Sequence, residues 1–145
     1  MSIIRNKFNS VTASGVKMTA NTREGDDFRG TIVGFEPINN PDYPKMVGKI
    51  QIQVAGESQL FEDVINFDDS SEEQAKKSTG YLQQHTKEAM ISAGKSADYN
   101  TDVDSDWCEA RIKELVAEKA QVTFSQHREI GKNGKSSLKI HYKKA

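Results

Sequence analysis

Apolar and polar residues alternate along several short stretches of this chain, and the alternation sets its element order. Lys45 to Val54 (KMVGKIQIQV) is the clearest case. Met46, Ile50, Ile52 and Val54 fall on one side, with Lys45, Lys49, Gln51 and Gln53 on the other, as in a half-buried strand. Arg29 to Glu36 (RGTIVGFE) is rich in β-branched and aromatic residues and reads as the strand before it. Between them PINNPDYP, with three prolines in eight residues, forbids continued pairing and makes a loop. Leu60 to Phe67 places Phe61, Ile65 and Phe67 on one face. Asp68-Asp69-Ser70-Ser71 followed by Glu72-Glu73 is a helix start with acids in the first turn. The helical composition runs to about Ala93, with an interruption expected near Gly80 and an end at Gly94. A shorter helix is expected from about Trp107 to Glu118, carrying Cys108, Ile112, Leu115 and Val116. Two strands finish the chain. Ala120 to His127 turns Val122 and Phe124 inward, and Ser137 to Lys143 turns Leu138, Ile140 and Tyr142 inward. Asn133-Gly134 between them is a hairpin signal.

Three meandering strands, a helical segment and a final hairpin make a mainly β, α+β protein. This is the element order of a five-stranded OB-fold barrel with a helical insertion between strands 3 and 4, though not of that fold alone. Residues 1–28 read as an N-terminal arm or short strand. Residues 29–145 read as the OB-fold domain, with an acidic helical segment over about 70–118.

The chain has 145 residues, enough for one domain with its own core. A hydrophobic fraction of 35% against 28% charged residues implies a small core and generous loops. Cys108 is the only cysteine, so no intrachain disulfide forms and a reducing cytoplasm is the expected location. MSIIRNKFNS lacks the apolar run of a signal peptide, and no stretch approaches the roughly 20 apolar residues of a spanning helix.

The net charge of −1 hides a strong asymmetry. Met1–Gly56 holds 7 Lys/Arg against 5 Asp/Glu, Glu57–Glu118 holds 6 against 15, and Lys119–Ala145 holds 7 against 1. The middle is acidic and the end basic, which points to a possible polyanion-binding face.

In OB-folds, oligonucleotides cross the face of strands 2 and 3 between the loops joining strands 1–2 and 4–5. Those loops are PINNPDYP, with Tyr43 and then Lys45, and EIGKNGKS, with Lys132 and Lys135. Phosphates need cations along a groove, and unpaired bases need flat side chains to stack on. The outward face of the final hairpin should present Thr123, Ser125 and His127 opposite Lys139, His141 and Lys143. Arg128 and Lys144 extend this surface, and Lys49 and Arg29 add charge from the first two strands. The competing reading is a solvated strand face whose lysines guard the edge against pairing. Most aromatics lie on apolar faces and read as core. Tyr43 is the best candidate for stacking, Phe35 is ambiguous because it shares a strand face with Arg29 and Thr31, and Trp107 reads as an anchor for the short helix.

Asp98 to Glu109 (DYNTDVDSDWCE) has the oxygen-ligand spacing of an EF-hand loop. Val103 stands where the loop's sharp turn favours glycine, and Ser105 stands where an apolar pairing residue is usual. The favoured reading is a solvated acidic loop, with Ser105 or Asp106 capping the next helix. His85, His127 and His141 have no metal-ligand spacing with Cys108, and no HExxH, GxSxG or phosphate-loop pattern occurs. No enzyme activity and no metal or cofactor is implied.

The segments RGTIVGFE, PKMVGKIQIQV and VTFSQHREIGKNGKSSLKIHYKK, spanning Arg29 to Lys144, resemble in arrangement the small OB-fold single-stranded-DNA-binding proteins of bacteriophages. The resemblance implies a non-enzymatic, sequence-tolerant protein that coats exposed strands during DNA replication or recombination in the host cytoplasm. Its groove would comprise Arg29, Tyr43, Lys45, Lys49, Lys132, Lys135, Lys139 and Lys143. Many such proteins end in an acidic tail that recruits partner enzymes, whereas this chain ends in HYKKA. The acidic middle segment either takes over recruitment of replication or recombination proteins, or recruitment is absent. The alternative is a protein-interaction or regulatory module that uses this acidic segment, followed by a calcium-binding protein.

Overall fold

Seven elements follow one another in the computed structural model, which describes residues 20–95, 104–131 and 134–144. They are β1 (Phe28–Pro37), β2 (Met46–Val54), β3 (Phe61–Asn66), α1 (Glu72–Ser92), α2 (Ser105–Ala117), β4 (Gln121–Ile130) and β5 (Ser136–Lys143). The five strands form one antiparallel sheet in the order β3-β2-β1-β4-β5, so β1 is central and both helices lie in the connection from β3 to β4. No ladder joins the two edge strands, β3 and β5.

The inner face follows the alternation, with two departures. Ile32 pairs with Ile52, and Ile52 with Phe61, forming a buried row across β1, β2 and β3. The β1–β2 register then slips at Val33, which switches the parity of everything after it. Phe35 therefore turns inward, away from the face of Arg29 and Thr31 that simple alternation assigns it. It lies over Gly48, where an added Cβ would sit 2.1 Å from Phe35 Cζ. The glycine makes room for the ring. A second slip between Met46 and Gly48 in the β2–β3 register accompanies the burial of Val47. Phe28, Phe61 and Phe124 meet at centroid distances of 4.8, 5.1 and 5.7 Å, and this aromatic cluster joins β1, β3 and β4.

α1 is one continuous helix and does not break at Gly80. A lone glycine costs a helix about 1 kcal/mol relative to alanine, and the burial of Leu82, Ala89 and Met90 outweighs that. Ser71 caps its start by accepting from the Gln74 N–H at 3.1 Å. At its end Gly94 adopts φ +78°, and the N–H groups of Gly94 and Lys95 bond the carbonyls of Ile91 and Met90. Ser92 fastens this end to the sheet, its Oγ accepting from the Thr123 N–H at 2.8 Å and donating to the Thr123 carbonyl at 2.9 Å. α2 is capped by Asp104, one position before the expected Ser105, because Asp104 has the extended backbone that lets its carboxylate reach the Trp107 N–H. Cys108, Ile112 and Leu115 turn into the core.

Residues 21–24 are pinned against the sheet. The Asn21 N–H bonds the Leu60 carbonyl, and the buried Gln126 amide donates to the carbonyls of Asn21 and Arg23.

Candidate nucleic-acid interface

The residues expected to bind nucleic acid fall into two groups at opposite ends of β1. Arg29, Thr123 and Lys143 are register partners across β1, β4 and β5, so they form one row. Arg29 donates to Thr123 Oγ1 at 2.9 Å, and Lys143 pairs with Asp27 at 2.6 Å. Lys139 lies four residues before Lys143 on the same parity of β5, opposite His127. That places it ~13 Å along the strand at ~3.3 Å per residue. Lys135 lies just before β5, and its carbonyl accepts from the Gly131 N–H to close the hairpin. Lys132 lies outside the described residues. Ser125, expected outside with Thr123 and His127, is buried, so His127 carries the outer face there.

The second group surrounds the loop from β1 to β2. Glu36, opposite Lys49, is seven residues from Arg29, on the order of 23 Å along the strand. The loop is built on Asn40, whose side chain accepts from the Asp42 N–H and whose carbonyl accepts from the Tyr43 N–H. This turn leaves Tyr43 53% exposed. Lys45 beside it reaches Asp68 at 3.4 Å while its side chain stays largely in solvent. Hydrogen bonds from Ser70, and then the Lys45 charge, hold the Asp68 carboxyl below its usual range.

Lys49 is differently placed. Its ammonium pairs with Glu62 and lies 3.8 Å from Glu36, and Glu36 also accepts from the Gln51 amide at 3.0 Å. The outer face of β1, β2 and β3 is therefore a bridged polar surface in which one cation lies between two carboxylates. An incoming phosphate would have to displace a carboxylate to reach Lys49.

The alternation overlooks a buried polar cluster. Asp63 shares the inward parity of Phe61 and Ile65 and is 4% exposed. One of its oxygens accepts from the Tyr142 hydroxyl at 2.6 Å and from His85 Nε2 at 2.7 Å. The two sheet edges and α1 thus meet at one carboxylate, and this contact draws β3 toward β5 without a ladder. Burial, then the Asp63 charge, pushes the Tyr142 phenol well above its ordinary pKa, so it remains a hydroxyl donor. Burial pulls His85 down, but the charge and hydrogen bond of Asp63 outweigh it and the net shift is upward. The sequence signal was an aspartate in an inward strand position.

The acidic loop divides between described and undescribed residues. Residues 98–103 lie outside the described set. Of the remaining ligand positions, Asp104 caps α2, and Glu109 is buried within the helix with its carboxylate 2.8 Å from Lys113. Trp107 packs against the core with the Arg111 guanidinium 5.8 Å from its ring centroid. Among the described residues, no group of three or more His, Cys, Asp or Glu is placed to hold a metal ion. No helix among them is long and apolar enough to cross a membrane.

No protein-family model matches the chain, and comparison with curated proteins finds no significant match.

Proposed function

We propose that this protein is a non-enzymatic, sequence-tolerant single-stranded-DNA-binding protein of OB-fold architecture, acting in DNA replication or recombination. The observation that carries the reading is the strand order β3-β2-β1-β4-β5 with the helices between β3 and β4. An OB-fold is a five-stranded, partly open barrel that presents strand faces and hairpin loops to oligonucleotides. A sheet of this order whose edges meet through Asp63 and Tyr142 fits that description with one seam unpaired. Tyr43 and Lys45 offer a stacking ring and a cation on the loop from β1 to β2. Arg29, Lys135, Lys139 and Lys143 offer phosphate contacts on the other side. Binding would combine electrostatic tracking of the backbone with stacking that tolerates any base. Lys49, held by Glu36 and Glu62, would contribute less than its position in the sequence suggests.

The acidic helical segment gives weaker support to a protein-docking role. Glu72 and Glu73 each have a lysine one turn on, Lys76 at 3.7 Å and Lys77 at 3.5 Å, which neutralises much of the acid at the start of α1.

Charge reversal tests the face. The double variant Lys135→Glu, Lys143→Glu should weaken binding of a fluorescent poly-dT oligonucleotide at least ~10-fold at low salt, because two phosphate contacts become repulsive. Unchanged affinity would remove the β4–β5 face from the account.

A further inference from the structure

The seam between the edge strands opens into a cleft. β3 supplies residues 63–66, β5 supplies residues 138–141, and α1 lies along one side. Its volume is about 300 Å³, at the small end of the range for small-molecule sites. Leu82, Ile65 and Ile140, all buried, give it an apolar floor. Its rim is chemically mixed. Tyr81 stands on α1 with 77% of its surface exposed, the Gln84 amide on the same helix donates to Glu88 at 3.0 Å, and Lys139 and His141 project from β5. His85, a quarter exposed, lies between them with Nε2 committed to Asp63.

Two of these residues stand out by their placement among the described residues. Tyr81 is a large aromatic ring left in solvent. Lys139 is half-buried yet forms no ion pair among the described residues, although Lys143 and Lys45 both do. Asp63 and Glu88 also line the cleft, but Asp63 is taken up by Tyr142 and His85, and Glu88 accepts from Gln84. A half-buried ammonium outside ion-pair distance of either favours an anionic ligand. His85, drawn toward its charged form by Asp63, adds cationic character, whereas His141 is held at 2.8 Å by Glu129.

We propose that this cleft is a nucleotide subsite, with Tyr81 stacking a base and Lys139 holding its phosphate. It rests on the strand-binding reading and extends it, since it lies on the α1 side of the sheet seam, apart from the Tyr43 loop. A strand crossing the β4–β5 face past Lys143 and Lys139 would deliver one nucleotide into it. The apolar floor suits a base, and a stacking ring with a single lysine imposes little sequence preference.

The test compares poly-dT affinity for the wild type, Tyr81→Ala, Tyr81→Phe and Lys139→Ala. It is paired with an NMR titration of the amides of residues 81–85 and 138–141. Base–aromatic stacking predicts a loss of roughly 5- to 150-fold for Tyr81→Ala and near-wild-type binding for Tyr81→Phe. Tyr81 is exposed, so its replacement leaves the fold intact. Lys139→Ala should weaken binding and lower the salt dependence by about one contact. If the wild type binds poly-dT and Tyr81→Ala binds equally well, the subsite is overturned while the strand-binding reading stands. If the wild type does not bind poly-dT, both fall. Cleft amides that shift with a glutamate-rich peptide but not with the oligonucleotide would overturn the subsite in favour of a protein ligand.

Discussion

Asp63 is the residue on which the sheet's seam depends. It brings one carboxylate to a tyrosine of β5 and a histidine of α1, so its hydrogen bonds span three elements that no backbone ladder links. Hydrogen bonds to charged groups contribute about 1.5–3 kcal/mol each. Tyr142→Phe should therefore destabilise the protein by about that amount in urea unfolding, while Asp63→Ala should cost more because two donors lose their acceptor. The histidine gives the contact a pH dependence. Its folded-state pKa is raised, so its stabilisation is fully present below the unfolded value of about 6.5 and is lost as pH rises through the folded value. Asp63 and Glu88 favour the charged ring, whereas Lys139 and burial oppose it. The stability gap between wild type and His85→Gln should narrow as pH is raised from about 5 to about 9. A gap that does not change with pH would show that the ring's charge plays no part in holding the seam.

At the scale of elements, two glycines make opposite predictions. An added methyl at Gly48 meets Phe35 Cζ at 2.1 Å and the Glu36 carbonyl at 3.2 Å, so Gly48→Ala should destabilise the fold. Overpacking of this kind costs about 1–3 kcal/mol. Gly80 faces open space in the middle of α1, so Gly80→Ala should stabilise by about 0.5–1 kcal/mol through helix propensity. Both are read from denaturation midpoints. The same pair shows what alternation and propensity can carry. The order of strands and helices was legible because each has its own period and its own stop residues. The parity switch at Val33 was not, because a bulge changes which face a side chain takes without changing the residue types. Phe35 moved from an ambiguous position to the core for that reason. Asp63 and Tyr81 were passed over for a related one. A buried acid and a solvent-exposed ring both go against the expected sorting, and only tertiary contacts say what each is doing.

For the whole molecule, the distribution of charge matters more than its sum. The acidic counts of the middle segment are partly absorbed inside it, by Lys76 and Lys77 at the start of α1, by Lys113 on Glu109, and by Lys95 on Glu118. Among the described residues of the basic end, Lys143 pairs with Asp27, and Lys139 and Lys143 share the outer parity of β5. Of the eight residues expected to form a groove, Lys132 lies outside the described residues, and the geometry gathers Arg29 of β1 with Lys139 and Lys143 of β5 and Lys135 just before it. It leaves Tyr43 and Lys45 at the far end of β1 and holds Lys49 between carboxylates. The central claim is that this surface binds single-stranded DNA through its phosphates. The most direct measurement is the affinity for a fluorescent poly-dT oligonucleotide as a function of salt. About four to six phosphate contacts predict a logarithmic slope near −3 to −4, so affinity should fall roughly 60- to 300-fold between about 50 and about 200 mM salt. Absence of binding at about 50 mM salt, or binding indifferent to salt across that range, would contradict the claim.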